Sequence, residues 1–229
     1  MRKVTLLGLA LVAVFAFTGL VTSMASAAEA PKVLSAFPNK FEGTSGKGKL
    51  EEEGAFASIE CKKDTNSGSF TGEKSGTLTL KFKECSAVGG KCKTSGAAAG
   101  EIASEGSTVP VLISKGDIGI LIKPAAVTIT CTGTLIGEFT VKVTGTIIIL
   151  MNVTPGKAVK AKEKFELIVK QSKGKQEFTT CEAPVESGVC GESHTLVAEN
   201  SLNGNKKENS GDESAENTSA AEKEFTIDE

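Results

Sequence analysis

Six cysteines, a single histidine and a scatter of carboxylates are the side chains of this 229-residue chain that could carry chemistry. Cys61, Cys85, Cys92, Cys131, Cys181 and Cys190 all lie beyond the N-terminal apolar segment, and an even number in an exported chain reads as a disulfide framework. Cys85 and Cys92 bracket a Gly89-Gly90 turn, while Cys181 and Cys190 bracket a loop containing Pro184 and Gly188, so both pairs are expected to be local staples. Elimination then leaves Cys61 to Cys131 as the long-range bridge, contributing roughly 4 kcal/mol through loop-closure entropy. A zinc site would want Cys-x-x-Cys or Cys/His pairs at ligand spacing, and no Cys-x-x-Cys occurs. No metal site and no cofactor is expected.

A Ser-His-Asp triad would need His194. Ser193 is adjacent, but neighbours on a strand point to opposite faces, and His194 is expected at the surface. A glycosidase needs only two carboxylates across a cleft. Glu60, Glu101, Asp117 and Glu138 are candidates, but acids at solvent-facing strand positions are ordinary, so no catalytic residue is assigned. Asp64-x-Asn66-x-Gly68 opens like a calcium loop, yet an EF-hand would place glycine where Ser69 stands and a bidentate glutamate where Ser75 stands. Those residues are expected to turn the chain between two strands. The glycine-rich pieces, chiefly Gly43 to Gly48 and Gly89-Gly90, match no GxGxxG or Walker pattern, so phosphate cradling has no support. Lys157, Lys160, Lys162, Lys164, Lys170, Lys173 and Lys175 form one dense basic cluster. It could face an anionic wall polymer or the acidic tail of the same molecule, but a solvated sheet edge is the expectation, because lysine there prevents sheet-to-sheet association.

The compartment is written at the N-terminus. Arg2 and Lys3 precede an uncharged run from Val4 to Val21, which gives way to Ala25-Ser26-Ala27, the tripartite plan of a secretory signal cut after Ala27. The rival reading is a retained anchor, because 18 uncharged residues approach the roughly 20 that span a bilayer; Gly8, Gly19 and the small-residue motif argue against it. No later segment is long and apolar enough to span, so no membrane span is expected after cleavage. Losing residues 1–27 removes the only arginine and one lysine, taking the formal charge from -2 to -4. A mildly acidic chain without arginine is a poor match for nucleic acid. There is no Trp or Tyr among the aromatics, only 11 Phe, so a sugar-stacking platform would have to be improvised from phenylalanine.

The elements that must position these residues are strands. The apolar pattern has period two, with Gly, Ser, Thr and Lys interrupting it roughly every 8 to 12 residues, which predicts an all-β antiparallel sandwich or barrel. Strands are expected over Phe56 to Lys62, Gly68 to Gly72, Gly76 to Lys83, Thr108 to Ser114, Ile118 to Lys123, Ala126 to Thr132, Gly137 to Val143, Thr146 to Val153, Glu163 to Lys170 and Thr195 to Glu199. Leu78, Leu80 and Phe82 alternate with Thr77, Thr79 and Lys81, giving one wet face and one packed face. Ile147 to Met151 does not alternate and is expected to be covered on both faces. Residues 28–199 are enough for one domain around one core. Residues 200–229 carry eight acids against three lysines and few aliphatics, leaving about +1 on the rest of the mature chain. Such a stretch is expected to be a largely disordered tail, although Phe225 and Ile227 alternate and could add a last edge strand.

Two segments correspond at an offset of 69 to 70: Ile59-x-Cys61, Gly68-Ser69-Phe70-Thr71 and Gly76-Thr77 against Ile129-x-Cys131, Gly137-Glu138-Phe139-Thr140 and Gly145-Thr146. This raises a duplicated β-meander with Cys61 and Cys131 joined near a pseudo-twofold axis. The string CKKDTNSGSFTG from Cys61, KFKEC ending at Cys85, Cys92, and GAAAGEI ending at Ile102 carry a further likeness. Over Phe41 to Thr180 the chain resembles a group of uncharacterised secreted β-rich proteins found as multiple paralogues in soil bacteria. That resemblance implies an extracellular location and paired cysteines, and no activity. The expected function is a non-enzymatic structural or binding protein of the cell envelope or extracellular space, with an envelope polymer or a protein as partner; the alternative is a secreted hydrolase with a carboxylate pair.

Overall fold

In the computed structural model the residues described are 30–52, 58–113, 117–134, 136–172, 175–181, 190–201, 206–213 and 218–228. The export signal expected over residues 1–27 lies outside them. The first half of the chain forms β1 (Lys32–Ser35), β2 (Asn39–Ser45), β3 (Gly48–Glu52), β4 (Ile59–Cys61), β5 (Lys63–Gly72), β6 (Ser75–Lys83), β7 (Ser86–Ala87), β8 (Gly90–Thr94), β9 (Glu101–Ile113) and β10 (Asp117–Pro124). The second half forms β11 (Val127–Gly133), β12 (Gly137–Gly145), β13 (Ile147–Asn152), β14 (Lys164–Ile168), β15 (Gln171–Ser172), β16 (Lys175–Gln176), β17 (Thr179–Cys181), β18 (Cys190–Ser193), β19 (Leu196–Asn200), β20 (Lys206–Glu213), β21 (Thr218–Ala221) and β22 (Phe225–Asp228). The architecture is all-β and antiparallel, as the alternation in the sequence predicts.

Eight strands close a barrel in the order β11-β12-β19-β20-β3-β4-β7-β8. A larger sheet runs β10-β13-β14-β21-β2-β5-β6-β9 and returns to β10 through the β9–β10 ladder, with β17 and β18 continuing beyond β9. The two circular orders match position by position. β10 leads into β11, β12 into β13, β20 into β21, β2 into β3, β4 into β5, β6 into β7 and β8 into β9, through connections of one to six residues. Only β14 to β19 is joined through an insertion, which carries β15 to β18. The molecule is therefore two rings stacked end to end, each wall position running on from one ring into the other.

Burial follows the pleat. In β6 the inward side carries Gly76, Leu78, Leu80 and Phe82, while Thr77 and Lys81 are exposed. β13 buries Ile149 and Met151 in the large-sheet core and also leaves Ile148 0 % exposed on its other face, so this strand is covered on both sides as its unbroken apolar run requires. There are two buried clusters rather than the single core expected. Phe41, Phe70, Phe165 and Phe225 pack ring to ring at 5.1 to 6.4 Å in the large sheet; the barrel is filled by Ile129, Phe139, Val141 and four cysteines. Ile147 packs against both. Because the chain crosses between the rings after every one or two strands, neither ring is a separable unit in sequence.

Three expectations are corrected. The tail is not disordered over its described residues: β20 pairs with β3 and β19, β21 sits between β2 and β14, and β22 pairs with β1. In β21 and β22 alternate positions face in, and Ser219, Ala221, Phe225 and Ile227 are buried there, a pattern that the polar average of the whole segment hides. The disulfides are Cys61–Cys85 and Cys92–Cys131, not Cys61–Cys131 and Cys85–Cys92. Cys92 and Cys131 lie directly opposite each other on β8 and β11, so each sulfur meets the one on the strand beside it rather than the one across the hairpin. Cys181 is disulfide-bonded and stands opposite Cys190 in the β17–β18 ladder; the loop between them and the Cys190 side chain are outside the described residues. The duplicated meander also falls. Phe70 belongs to the large-sheet cluster and Phe139 to the barrel cluster, so the two matching segments occupy unlike places.

Candidate functional site

The most distinctive space in the molecule is at the waist, where the two rings meet. β6 turns Leu80 and Phe82 inward and β10 turns Ile122 inward from the large sheet; β11 and β12 turn Ile129 and Val143 inward from the barrel. Where one ring passes into the next, these side chains leave a cavity of about 140 Å³ between the two cores. At about 24 cal/mol per Å³, a void of that size costs on the order of 3 kcal/mol against a filled interior. Two charged residues, Lys49 and Glu105, and the half-buried Ser104 are among those that line the space. Glu105 is exposed, and Lys49 Nζ is 3.3 Å from Glu51 Oε1. With exposed Ala125 they mark the rim through which the cavity reaches solvent.

A buried polar strip lines the inside of β2, β5 and β21. Asn66 Oδ1 accepts a hydrogen bond from Ser219 Oγ at 2.8 Å. Gly43 stands against that pair, and a Cβ there would come within 2.2 Å of Ser219 Oγ and 2.7 Å of Asn66 Oδ1. Asp64 is 2 % exposed and pairs across the ladder with Ser45. Neither carboxylate oxygen, nor Ser45 Oγ, has a hydrogen bond of ordinary geometry. Burial pushes the Asp64 carboxyl above its ordinary value, and the nearby Ser45 hydroxyl and backbone offset part of the rise. Asp64, Asn66 and Gly68 thus lie within strand β5 rather than in the turn expected from their composition. Their spacing of two puts them on one face of a strand, and that face is the interior.

The remaining sequence candidates do not assemble. Glu60 and Glu138 are exposed on the barrel wall. Glu101 opens β9 at the waist, whereas Asp117 pairs with Ile113 at its other end, about 40 Å away along the strand at roughly 3.3 Å per residue. His194 is half-buried rather than a free surface residue. Its Nδ1 lies 3.1 Å from Thr146 Oγ1 and its Nε2 3.1 Å from Thr180 Oγ1, so it ties the joint between β12 and β13 to β17. Both ring nitrogens are occupied by hydroxyls, which suits a structural tie. Among the described residues, no three His, Cys, Asp or Glu side chains cluster to hold a metal. The lysines at 157, 160, 162, 164, 170 and 175 are exposed. Their segment meets the C-terminal strands through the backbone, with Lys162 N to Ala221 O at 2.7 Å and Val159 N to Phe225 O at 2.8 Å.

Glu84, at the β6–β7 joint, takes φ 55° and meets Lys62 Nζ at 3.0 Å and Lys63 Nζ at 3.2 Å. The two lysines hold its carboxyl below the usual carboxylate range. Outward wall positions such as Thr77, Lys81, Lys93, Thr128 and Lys142 are exposed and polar, the reverse of a lipid-facing barrel. Among the described residues no helix is long and apolar enough to cross a membrane.

Sequence reasoning missed the cavity. Its lining comes from strands far apart in the chain whose apolar positions read as ordinary core. No family model, no curated protein and no solved structure matches this chain.

Proposed function

We propose that this chain is a secreted, non-enzymatic binding or structural protein of the extracellular space or cell envelope. The observation that carries the reading is the cavity at the waist: apolar side chains wall it, and its charged neighbours stand only at the rim. Binding at such a place asks for shape and dryness rather than for a nucleophile or a general base. The rigid, crosslinked double ring supports it, because a site built on strands keeps its shape. The tripartite N-terminus and the disulfides support the location. A hydrolase would need two carboxylates facing each other across a cleft, and the four candidates stand on separate walls or opposite ends.

Producing the full chain in a bacterial host and fractionating cytoplasm, envelope and culture fluid tests this. The expected product begins at Ala28, is recovered outside the cytoplasm, has no reactive thiol and turns over no polysaccharide. Recovery from the cytoplasm with free thiols would overturn the location. Polysaccharide hydrolysis that disappears in Glu60→Gln, Glu101→Gln or Glu138→Gln would overturn the non-enzymatic part.

A further inference from the structure

We infer that the waist cavity is a binding site for a small neutral apolar molecule, a single aromatic ring or a short branched alkyl group. The inference rests on the binding reading above and names its ligand class. Size sets the first limit. About 140 Å³ is close to the roughly 150 Å³ apolar cavity that, in another protein, stays dry and takes up benzene.

Chemistry sets the second limit. A buried water wants two to four polar partners, whereas the walls here are chiefly Leu80, Phe82, Ile122, Ile129, Val143 and Ile147, drawn from both rings, with Ser104 the one uncharged polar side chain among the lining residues. A buried charge would have no partner among them. The charges that touch the space are at the rim, and Lys49 is already paired with Glu51. The ligand is therefore neutral.

Length sets the third. The four-phenylalanine cluster fills the large sheet on one side, and Cys92 and Cys131, both 0 % exposed, lie in the packed barrel core on the other. A long acyl chain would meet packed core on both sides, so the occupant of the space is compact.

The test uses the oxidised mature protein, with isoleucine and leucine methyl resonances followed during titration with toluene, hexanoate and glucose. Toluene should shift the Leu80, Ile122 and Ile129 methyls saturably and leave Ile118 and Ile227 in place, with no saturable shift from glucose. Ile129→Phe, which fills the space from the barrel side, should weaken toluene binding at least tenfold. Leu80→Phe makes the same test from the other ring should the first variant lose its dispersed spectrum. The inference is overturned by the absence of saturation with toluene, by shifts confined to other regions, or by unchanged affinity in a folded filled variant. Hexanoate binding as tightly as toluene would overturn the neutral class. These outcomes are separate from the fractionation result: export can fail while toluene binds, and toluene can fail while the protein is exported.

Discussion

A carboxylate buried with no hydrogen bond of ordinary geometry is a clear single-residue cost among the described residues. Asp64 is raised above its ordinary pKa by desolvation, so its folded-state value exceeds the unfolded one. Its contribution to stability is therefore fully present below about 3.8 and is lost as pH rises through the raised folded value. Asp64→Asn, which keeps the shape without the charge, should be more stable than wild type at pH 7 by on the order of 1–3 kcal/mol. The two proteins should converge near pH 3. Urea denaturation at both pH values checks this, and a wild type more stable than the variant at pH 7 would contradict it. His194 works in the opposite direction, because its ring joins Thr146 at the β12–β13 joint to Thr180 on β17. His194→Ala should lose about 2 kcal/mol, at roughly 1 kcal/mol per hydrogen bond, with a lower urea midpoint and an unchanged slope. Neither role was legible from residue type. Asp64 read as turn chemistry and His194 as a surface residue, since both depend on which strand lies beside them.

At the scale of elements, alternation was a dependable guide and local bracketing was not. β6, β10, β11 and β12 follow the expected ranges within a few residues, because each buries one face and the period of two is then imposed on its sequence. The cysteines obey strand adjacency instead of loop length. Cys92 is paired through the β8–β11 ladder, and Gly90, two residues earlier, would place a Cβ 1.2 Å from Thr132 O, so this hairpin is pressed against β11 along its length. Tryptic mapping under non-reducing conditions separates the alternatives, because Lys83 and Lys91 flank Cys85 while Lys91 and Lys93 flank Cys92. The Cys85 peptide should be linked to that of Cys61, and the Cys92 peptide to that of Cys131. Sequence separations of 24 and 39 residues correspond to about 3.5–4 kcal/mol each by loop-closure entropy. Cys131→Ser should accordingly lose about 4 kcal/mol and leave one thiol titratable.

For the whole molecule, ring closure depends on the C-terminus. β21 is the strand between β14 and β2, and Phe225 packs at 5.3 Å from Phe70 and 5.4 Å from Phe165. Removing residues 218–229 should open the large sheet and cost more than the roughly 3–5 kcal/mol of deleting one buried phenylalanine. The expected result is a chain that binds a hydrophobic dye and melts without a sharp transition; a melting temperature within about 2 °C of wild type would show that the ring closes without it. Composition pointed the other way because the few buried positions of β21 and β22 are outweighed in the average by the polar residues that precede them. The sequence by itself determined what depends on neighbours along the chain: the all-β class, the inward faces of single strands, the unbroken run of β13 and the framework of paired cysteines. Contacts between remote strands were needed to settle which sulfurs meet, that the C-terminal strands complete a ring, and that two stacked rings leave an apolar-walled space at their junction. Each of those depends on distances between strands remote in sequence, set by how sixteen wall segments share two closed circuits.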